Sequence, residues 1–130
     1  MAEKIRLGGM ALANGVLVRQ YLVALGARPV GDKVKVGDRR TPEGVYVIDG
    51  RNPQSAFHRS LHISYPNASD RRRAVRRGVR PGGAIMIHGL PNGLGALGNV
   101  HTLRDWTAGC IAVTDGEIEE IWRMVPNGAR

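Results

Sequence analysis

The chain has 130 residues, a formal net charge of +8 and a single cysteine. A chain of this length suits one domain that buries about two-thirds of its unfolded surface. One cysteine excludes an internal disulfide, so stability has to come from a packed core. The sequence contains no apolar run of the ~18–20 residues that a membrane span needs, and residues 1–5 lack the apolar segment of a signal peptide. We therefore expect a single domain over residues 1–130 without a transmembrane segment.

The 18 glycines and 7 prolines favour a turn-rich β architecture over a helical bundle, and the first third of the chain is predicted to be β-structure. The expected strands are 10–12, 16–23, 45–48 and 58–64. Ala13-Asn14-Gly15 is typical of a hairpin turn between the first two. Residues 49–53, which include Gly50 and Pro53, are expected to break the third strand, and Pro66 to end the fourth.

Two short helices are predicted. Asn67 or Ser69 is suited to cap a helix across the arginine run 71–77, with Gly78 as its C-terminal stop. The second helix has a clearer signal, because Thr114 and Glu117 form a capping box. Apolar residues then follow at helical spacing, and the helix is expected to end at 126–128; these apolar residues are Ile118, Ile121, Trp122 and Val125.

A buried strand is predicted over 84–87, directly before His88-Gly89. The glycine-rich loop 89–102 follows, and it exceeds the ordinary loop length of compact domains, which favours a functional role.

The only cysteine lies in Thr107-Ala108-Gly109-Cys110, 22 residues after His88. A free thiol is only about 3% thiolate at pH 7, and a partner histidine removes that handicap. A glycine before the cysteine lets a substrate carbonyl approach and leaves backbone N–H groups to hold an oxyanion. The pattern predicts Cys110 as a nucleophile, His88 as its general base, and an oxyanion site at the N–H groups of Gly109 and Cys110. The alternatives are an inert buried thiol and a core histidine.

Several motifs in one order resemble the short, single-domain branch of the L,D-transpeptidase catalytic domain family (YkuD type). Its signature, a histidine, a loop and then Ser/Thr-x-Gly-Cys, corresponds to His88-Gly89 and Thr107-Ala108-Gly109-Cys110 here. Other matching stretches are 30–33, 37–44, 61–67 and 105–107. The chain departs at Ala108 and Ala112, where many members carry a histidine and an arginine or asparagine.

This resemblance implies a mainly β, α+β domain: a sandwich or barrel with one or two short helices, the C-terminal one amphipathic. Members usually continue into one more strand, which we expect this chain either to lack or to have lost. The resemblance also implies that a main-chain carbonyl, freed by the small Gly89, orients His88. It further implies that His62 and Tyr65 line a substrate groove. Thr107 either binds substrate or braces the turn before the nucleophile.

The implied activity is peptidoglycan acyl transfer. Cys110 would attack the L-centred carbonyl of an L–D bond in a donor stem peptide and form a thioester, which an amine of an acceptor stem peptide resolves. Covalent inhibition by carbapenems at Cys110 follows from the same resemblance, as does a location in the cell envelope. Two alternatives remain open: an L,D-carboxypeptidase or amidase that uses water, and a non-catalytic peptidoglycan-binding module.

No metal or cofactor is expected. His58, His62 and His101, together with Cys110, suggest zinc, but residues four apart on a strand are about 13 Å apart, too far to share one ion. The arginine run 71–77 is either a solvated helix face or a surface that attracts an anionic polymer. Few aromatic residues accompany it, which counts against specific nucleic-acid binding.

Overall fold

The computed structural model describes residues 12–13, 16–17, 23–28, 30–96, 98 and 107–128. Eight elements lie in these ranges: β1 (Leu12–Ala13), β2 (Val16–Leu17), β3 (Ile48–Ser55), β4 (His58–Ile63), α1 (Ala68–Arg77), β5 (Met86–His88), β6 (Ile111–Ala112) and α2 (Asp115–Met124). The predicted α+β class with two short helices is confirmed.

The main sheet has four strands in the order β3-β4-β5-β6. The first two pairings are antiparallel, whereas β5 and β6 run parallel. A parallel pair needs a crossover rather than a tight turn, and residues 89–110 provide it. β1 and β2 form a separate antiparallel pair in which Ala13 lies opposite Val16, so the predicted hairpin is present, although its turn lies outside the described residues.

The expected break at 49–53 is wrong, because β3 runs through it from Ile48 to Ser55. β3 is the edge strand of the described sheet, where a proline that cannot donate a hydrogen bond is tolerated. The pairing with β4 shifts register between Ile48 and Gly50 and again between Asn52 and Ser55. These irregularities absorb Gly50 and Pro53 without ending the strand.

Both helices have the predicted caps. Asn67 accepts a hydrogen bond from the Asp70 N–H to start α1, and Gly78 ends it in the left-handed conformation with a φ of 67°. Thr114 and Glu117 form the predicted capping box of α2. α2 packs its apolar face against β4 and β5. Four core side chains are fully buried there, namely Leu61, Ile87, Ile118 and Ile121.

Residues 23–41 support the other side of β6. Ala24 exchanges two backbone hydrogen bonds with Ala112, at 2.9 and 2.8 Å. The Gly26 N–H donates to the buried hydroxyl of Thr41. The Thr41 side chain therefore holds the segment around Gly26, and backbone hydrogen bonds from the neighbouring Ala24 join that segment to β6.

A buried ion pair organises the loop before Thr41. Lys33, which is 4% exposed, donates to Asp38 at 2.9 Å. Asp38 also accepts from the N–H groups of Val34, Lys35 and Arg40. Burial by itself raises the pKa of Asp38, but these hydrogen bonds outweigh it and lower the pKa to about 2.

We expect Asp38→Asn to lower the free energy of unfolding by about 2 kcal/mol at neutral pH. The carboxylate has a lower pKa when folded, about 2 against 3.8, so its contribution is complete above about pH 4 and is lost as the pH falls toward 2. The stability gap between wild type and variant should close over that interval. Urea unfolding at a series of pH values measures it.

Asp49→Asn is the matched control, because Asp49 forms an exposed pair with His62. This substitution should lower the free energy of unfolding by less than about 1 kcal/mol. Equal stabilities of wild type and Asp38→Asn at pH 7 would contradict the role given to Asp38.

Candidate active site

Cys110 and His88 line one pocket of about 440 Å³. Its walls come from the β3–β4 hairpin, from β5 and the residues before it, and from the turn 107–110. The lining residues are Asn52, Ser55, Ala56, Phe57, Ser60, Ala84, Met86, His88, Thr107, Ala108 and Cys110. The two residues predicted as nucleophile and base are thus brought together.

The register between β5 and β6 explains why Cys110 and His88 line the same pocket. Ile87 lies opposite Ile111, and His88 lies opposite Ala112. Cys110 is therefore level with Met86, two positions before His88 in the strand direction. Alternate residues share a face and adjacent strands lie about 4.8 Å apart, so the Cα atoms of Cys110 and His88 are separated by roughly 8 Å.

The imidazole of His88 is buried and held in one orientation. Its Nδ1 lies 2.6 Å from the carbonyl oxygen of Gly89, as the resemblance implied. A carbonyl can only accept, so Nδ1 carries the proton and Nε2 is the basic nitrogen of the neutral ring. This tautomer suits a general base.

The β3–β4 hairpin supplies a residue that the sequence analysis missed. The ring of Phe57 stacks on His88, with centroids 4.4 Å apart and an angle of 29° between the planes. His58 follows with a φ of 70°, which is unusual for a residue other than glycine, and its Nε2 bonds Glu119 of α2 at 2.8 Å. No sequence pattern marked Phe57, because its contact depends on the pairing of two distant strands.

The thiol of Cys110 is half-buried at the start of β6. Sγ donates to the carbonyl oxygen of Ala84 at 3.3 Å. Burial raises the pKa of the Cys110 thiol, and a hydrogen bond from the Met86 N–H together with the charge of Lys33 offsets this only in part. Because the Ala84 carbonyl can only accept a hydrogen bond, Sγ carries its proton in this contact.

Thr107 braces the turn before Cys110. Its buried hydroxyl donates to the Cys110 carbonyl at 2.6 Å and accepts from the Gly109 N–H at 3.1 Å. Of the two predicted oxyanion donors, Gly109 is thus engaged within the turn. The Cys110 N–H has no acceptor among the residues that the structure describes.

Gly109 is required by the local backbone. Its φ of 140° disfavours residues with a side chain, and a Cβ there would lie 2.9 Å from the carbonyl oxygen of Arg40. The glycine of the motif therefore allows the turn to pack against residue 40.

His62 and Tyr65 do not line the pocket. Tyr65 is 3% exposed and its hydroxyl donates to the carbonyl of Pro81, and this burial raises the pKa of Tyr65 to about 12. His62 pairs with Asp49. His101, Asp105 and Trp106 lie outside the described residues, as does much of the loop 89–102.

No three histidine, cysteine, aspartate or glutamate side chains are grouped as metal ligands in the described ranges. None of the described helices combines the length and the apolar character needed to span a bilayer.

A second cavity, of about 730 Å³, runs along residues 34–40 and contains neither Cys110 nor His88; its basic residues are Arg28, Lys35, Arg39 and Arg40.

The comparisons agree with this architecture. The sequence profile of YkuD, the L,D-transpeptidase catalytic domain, matches residues 8–130. With nearly the whole chain covered, the protein belongs to the YkuD family of L,D-transpeptidase catalytic domains.

The sequence identity between this chain and individual relatives is low. The Escherichia coli protein "Putative L,D-transpeptidase YafK" is 28% identical over 111 residues, which are 84% of this chain and 37% of that protein. The crystal structure of the helical cell shape determining protein Pgp2 from Campylobacter jejuni is similar with a TM-score of 0.61 and 28% identity, over 82% of this chain and 34% of Pgp2.

Bd1075 from Bdellovibrio bacteriovorus shares the fold, with a TM-score of 0.56 and 21% identity over 88% of this chain and 37% of Bd1075. The chain thus spans little more than a third of the length of these relatives.

We expect Thr107→Val to destabilise the protein by about 1–3 kcal/mol, because it leaves the Gly109 N–H and the Cys110 carbonyl without their partner in a buried turn. The alkylation rate of Cys110 should change as well, since the turn carries the thiol. Thermal unfolding and iodoacetamide kinetics measure both effects. Thr107→Ser keeps the hydroxyl and is the matched control, and an equal loss in both variants would contradict the bracing role.

Proposed function

We propose that this protein is a cysteine acyltransferase, an L,D-transpeptidase that acts on peptidoglycan stem peptides. The observation that carries the proposal is the shared pocket of Cys110 and His88, together with the Gly89 contact that leaves Nε2 of the imidazole as the base. Family membership supports the substrate class.

In the proposed first half-reaction, His88 Nε2 takes the thiol proton as Sγ of Cys110 attacks the L-centred carbonyl carbon of a donor stem peptide. The carbonyl π electrons move to the oxygen, and the Cys110 N–H stabilises the resulting oxyanion. The oxyanion then collapses and the C–N bond breaks. The imidazolium gives its proton to the departing D-amino acid, and a thioester remains on Cys110.

In the second half-reaction the same imidazole accepts a proton from the incoming amine. The amine nitrogen of an acceptor stem peptide attacks the thioester carbonyl carbon, and the C–S bond of the resulting tetrahedral intermediate breaks. The imidazolium returns its proton to the departing sulfur, which restores the thiol. Water in place of the amine gives hydrolysis, which is the reaction of an L,D-carboxypeptidase or amidase. Exclusion of water around the pocket favours transfer over hydrolysis.

The hydrogen bond that Sγ donates to the Ala84 carbonyl fits general-base catalysis better than a preformed thiolate–imidazolium pair, and burial, which raises the pKa of the Cys110 thiol, acts in the same direction. A neutral thiol resists oxidation and gains its reactivity only when the base removes its proton during attack. Substrate binding displaces water from the pocket and brings the donor carbonyl to the sulfur. The activation barrier to acylation is therefore lowered only when substrate is bound.

The proposal places the protein in the cell envelope, where its polymeric substrate lies. Peptidoglycan carries carboxylates, and the chain carries a net charge of +8. Four arginines of α1 are exposed and match a polyanion, namely Arg71, Arg72, Arg76 and Arg77. They supply long-range attraction rather than selectivity.

Incubation with a stem tetrapeptide, and separately with a carbapenem, should add one acyl group to the protein. We expect Cys110→Ala to abolish the adduct and His88→Ala to slow its formation by about 10²–10⁴-fold, the range for a general base. His88→Gln keeps a polar side chain of similar length without a base and should be equally slow. Intact-protein mass spectrometry measures each adduct.

The products then separate the two reactions: a new cross-link with an added amine indicates transfer, and a shortened peptide alone indicates hydrolysis. An unmodified, folded wild type with a reduced thiol would refute the nucleophile. A Cys110→Ala variant that retains all measurable function would instead favour the non-catalytic binding module.

A further inference from the structure

A single peptide group lies between His88 and a carboxylate. The Gly89 carbonyl accepts from His88 Nδ1 at 2.6 Å, and the Leu90 N–H donates to Asp115 Oδ1 at 2.8 Å. Both groups belong to the same planar amide, which joins Gly89 to Leu90. The imidazole and the carboxylate are thus connected through one resonance-coupled unit.

The carboxylate of Asp115 is held closely against the main chain. A Cβ on Gly89 would lie 2.6 Å from Oδ1, and a Cβ on Gly95 would lie 2.6 Å from Oδ2. Only glycine at these two positions leaves room for the carboxylate. Asp115 is also the first residue of α2, so the helix fixes its backbone.

The chemistry of this arrangement favours a charged imidazole. A carboxylate that accepts the amide proton draws electron density toward the carbonyl oxygen, and hydrogen bonds in such a chain strengthen one another. The full negative charge lies roughly 8 Å from Nδ1, close enough to stabilise an imidazolium in a partly buried site.

We propose that Asp115 is a positioning residue that holds the Gly89–Leu90 amide against His88 and raises the basicity of the imidazole through it. The proposal rests on the assignment of His88 as the base. It deepens the proposed function, because the chain then has a carboxylate orienter that acts through a peptide bond rather than by direct contact.

A purely structural role for Asp115 is the competing explanation, since an acidic residue in the first turn also stabilises a helix. Glu117 provides the control. It lies in the same turn, carries the same charge and bonds the Thr114 N–H, without a contact to the Gly89–Leu90 amide. Asp115→Asn keeps an oxygen to accept from Leu90 and removes only the charge.

Other ionisable groups near His88 have to be separated from this effect. Cys110 lies in the same pocket, just before the adjacent strand, and its thiol is itself ionisable. On β4, His58 and Arg59 both bond Glu119 of α2. The measurement therefore uses a Cys110→Ala background and leaves the Glu119 cluster unchanged.

The experiment is a pH titration of the histidine ¹⁵N resonances in Cys110→Ala protein, with and without a second substitution. We expect His88 to carry its proton on Nδ1 at high pH. Its titration midpoint should fall by about 0.5–1 pH unit in Asp115→Asn, because removal of the anion disfavours the imidazolium. In Glu117→Gln the midpoint should stay within about 0.2 pH unit.

A catalytic readout accompanies the titration. In protein with Cys110 intact, Asp115→Asn should slow acylation by about threefold at neutral pH, as expected for a weaker base. The pH–rate profile should shift in the same direction as the His88 midpoint, whereas Glu117→Gln should leave the profile in place.

Equal midpoints in Asp115→Asn and Glu117→Gln would overturn the proposal, even in an active enzyme. The predicted midpoint shift in a protein without acyl transfer would refute the proposed function alone. If Asp115→Asn does not fold, NMR couplings across the hydrogen bonds of Cys110→Ala protein test the proposal instead. Couplings from His88 Nδ1 to the Gly89 carbonyl and from the Leu90 nitrogen to the Asp115 carboxyl would support the connection. The absence of these couplings would overturn the proposal.

Discussion

The parallel pairing of β5 with β6 is the constraint on which the site depends. Residues 22 positions apart in the chain meet only because Ile87 lies opposite Ile111. A shift of one position would turn Cys110 to the other face of the sheet. The antiparallel neighbour β4 fixes one side of this pair, and the backbone of Ala24 fixes the other.

The sequence was informative wherever local chemistry determines the structure. The capping residues Asn67 and Thr114 fixed the helix starts, since a cap acts within one turn. The His88-Gly89 pair indicated the carbonyl that orients the imidazole, because that contact spans one residue. These features depend on neighbours along the chain, and a single sequence contains them.

Features set by distant contacts could not be read in this way. Gly50 and Pro53 signal a break in isolation, yet β4 stabilises the edge strand that contains them. The family resemblance implies that Tyr65 lines a substrate groove, but tertiary packing buries its ring and directs the hydroxyl to the carbonyl of Pro81. Phe57 reaches His88 through a hairpin whose register no local pattern specifies.

The stacking of Phe57 on His88 has an evolutionary consequence. The hairpin that forms a wall of the pocket also supports one face of the imidazole, so under the proposed mechanism one structural unit would serve both selectivity and proton transfer. Substitutions that adapt the hairpin to a substrate of different shape would also disturb the His88 ring, on which Phe57 stacks. Diversification of this site should therefore proceed more freely from the side of Ala84 and Ala108, small residues that line the cleft outside the β3–β4 hairpin.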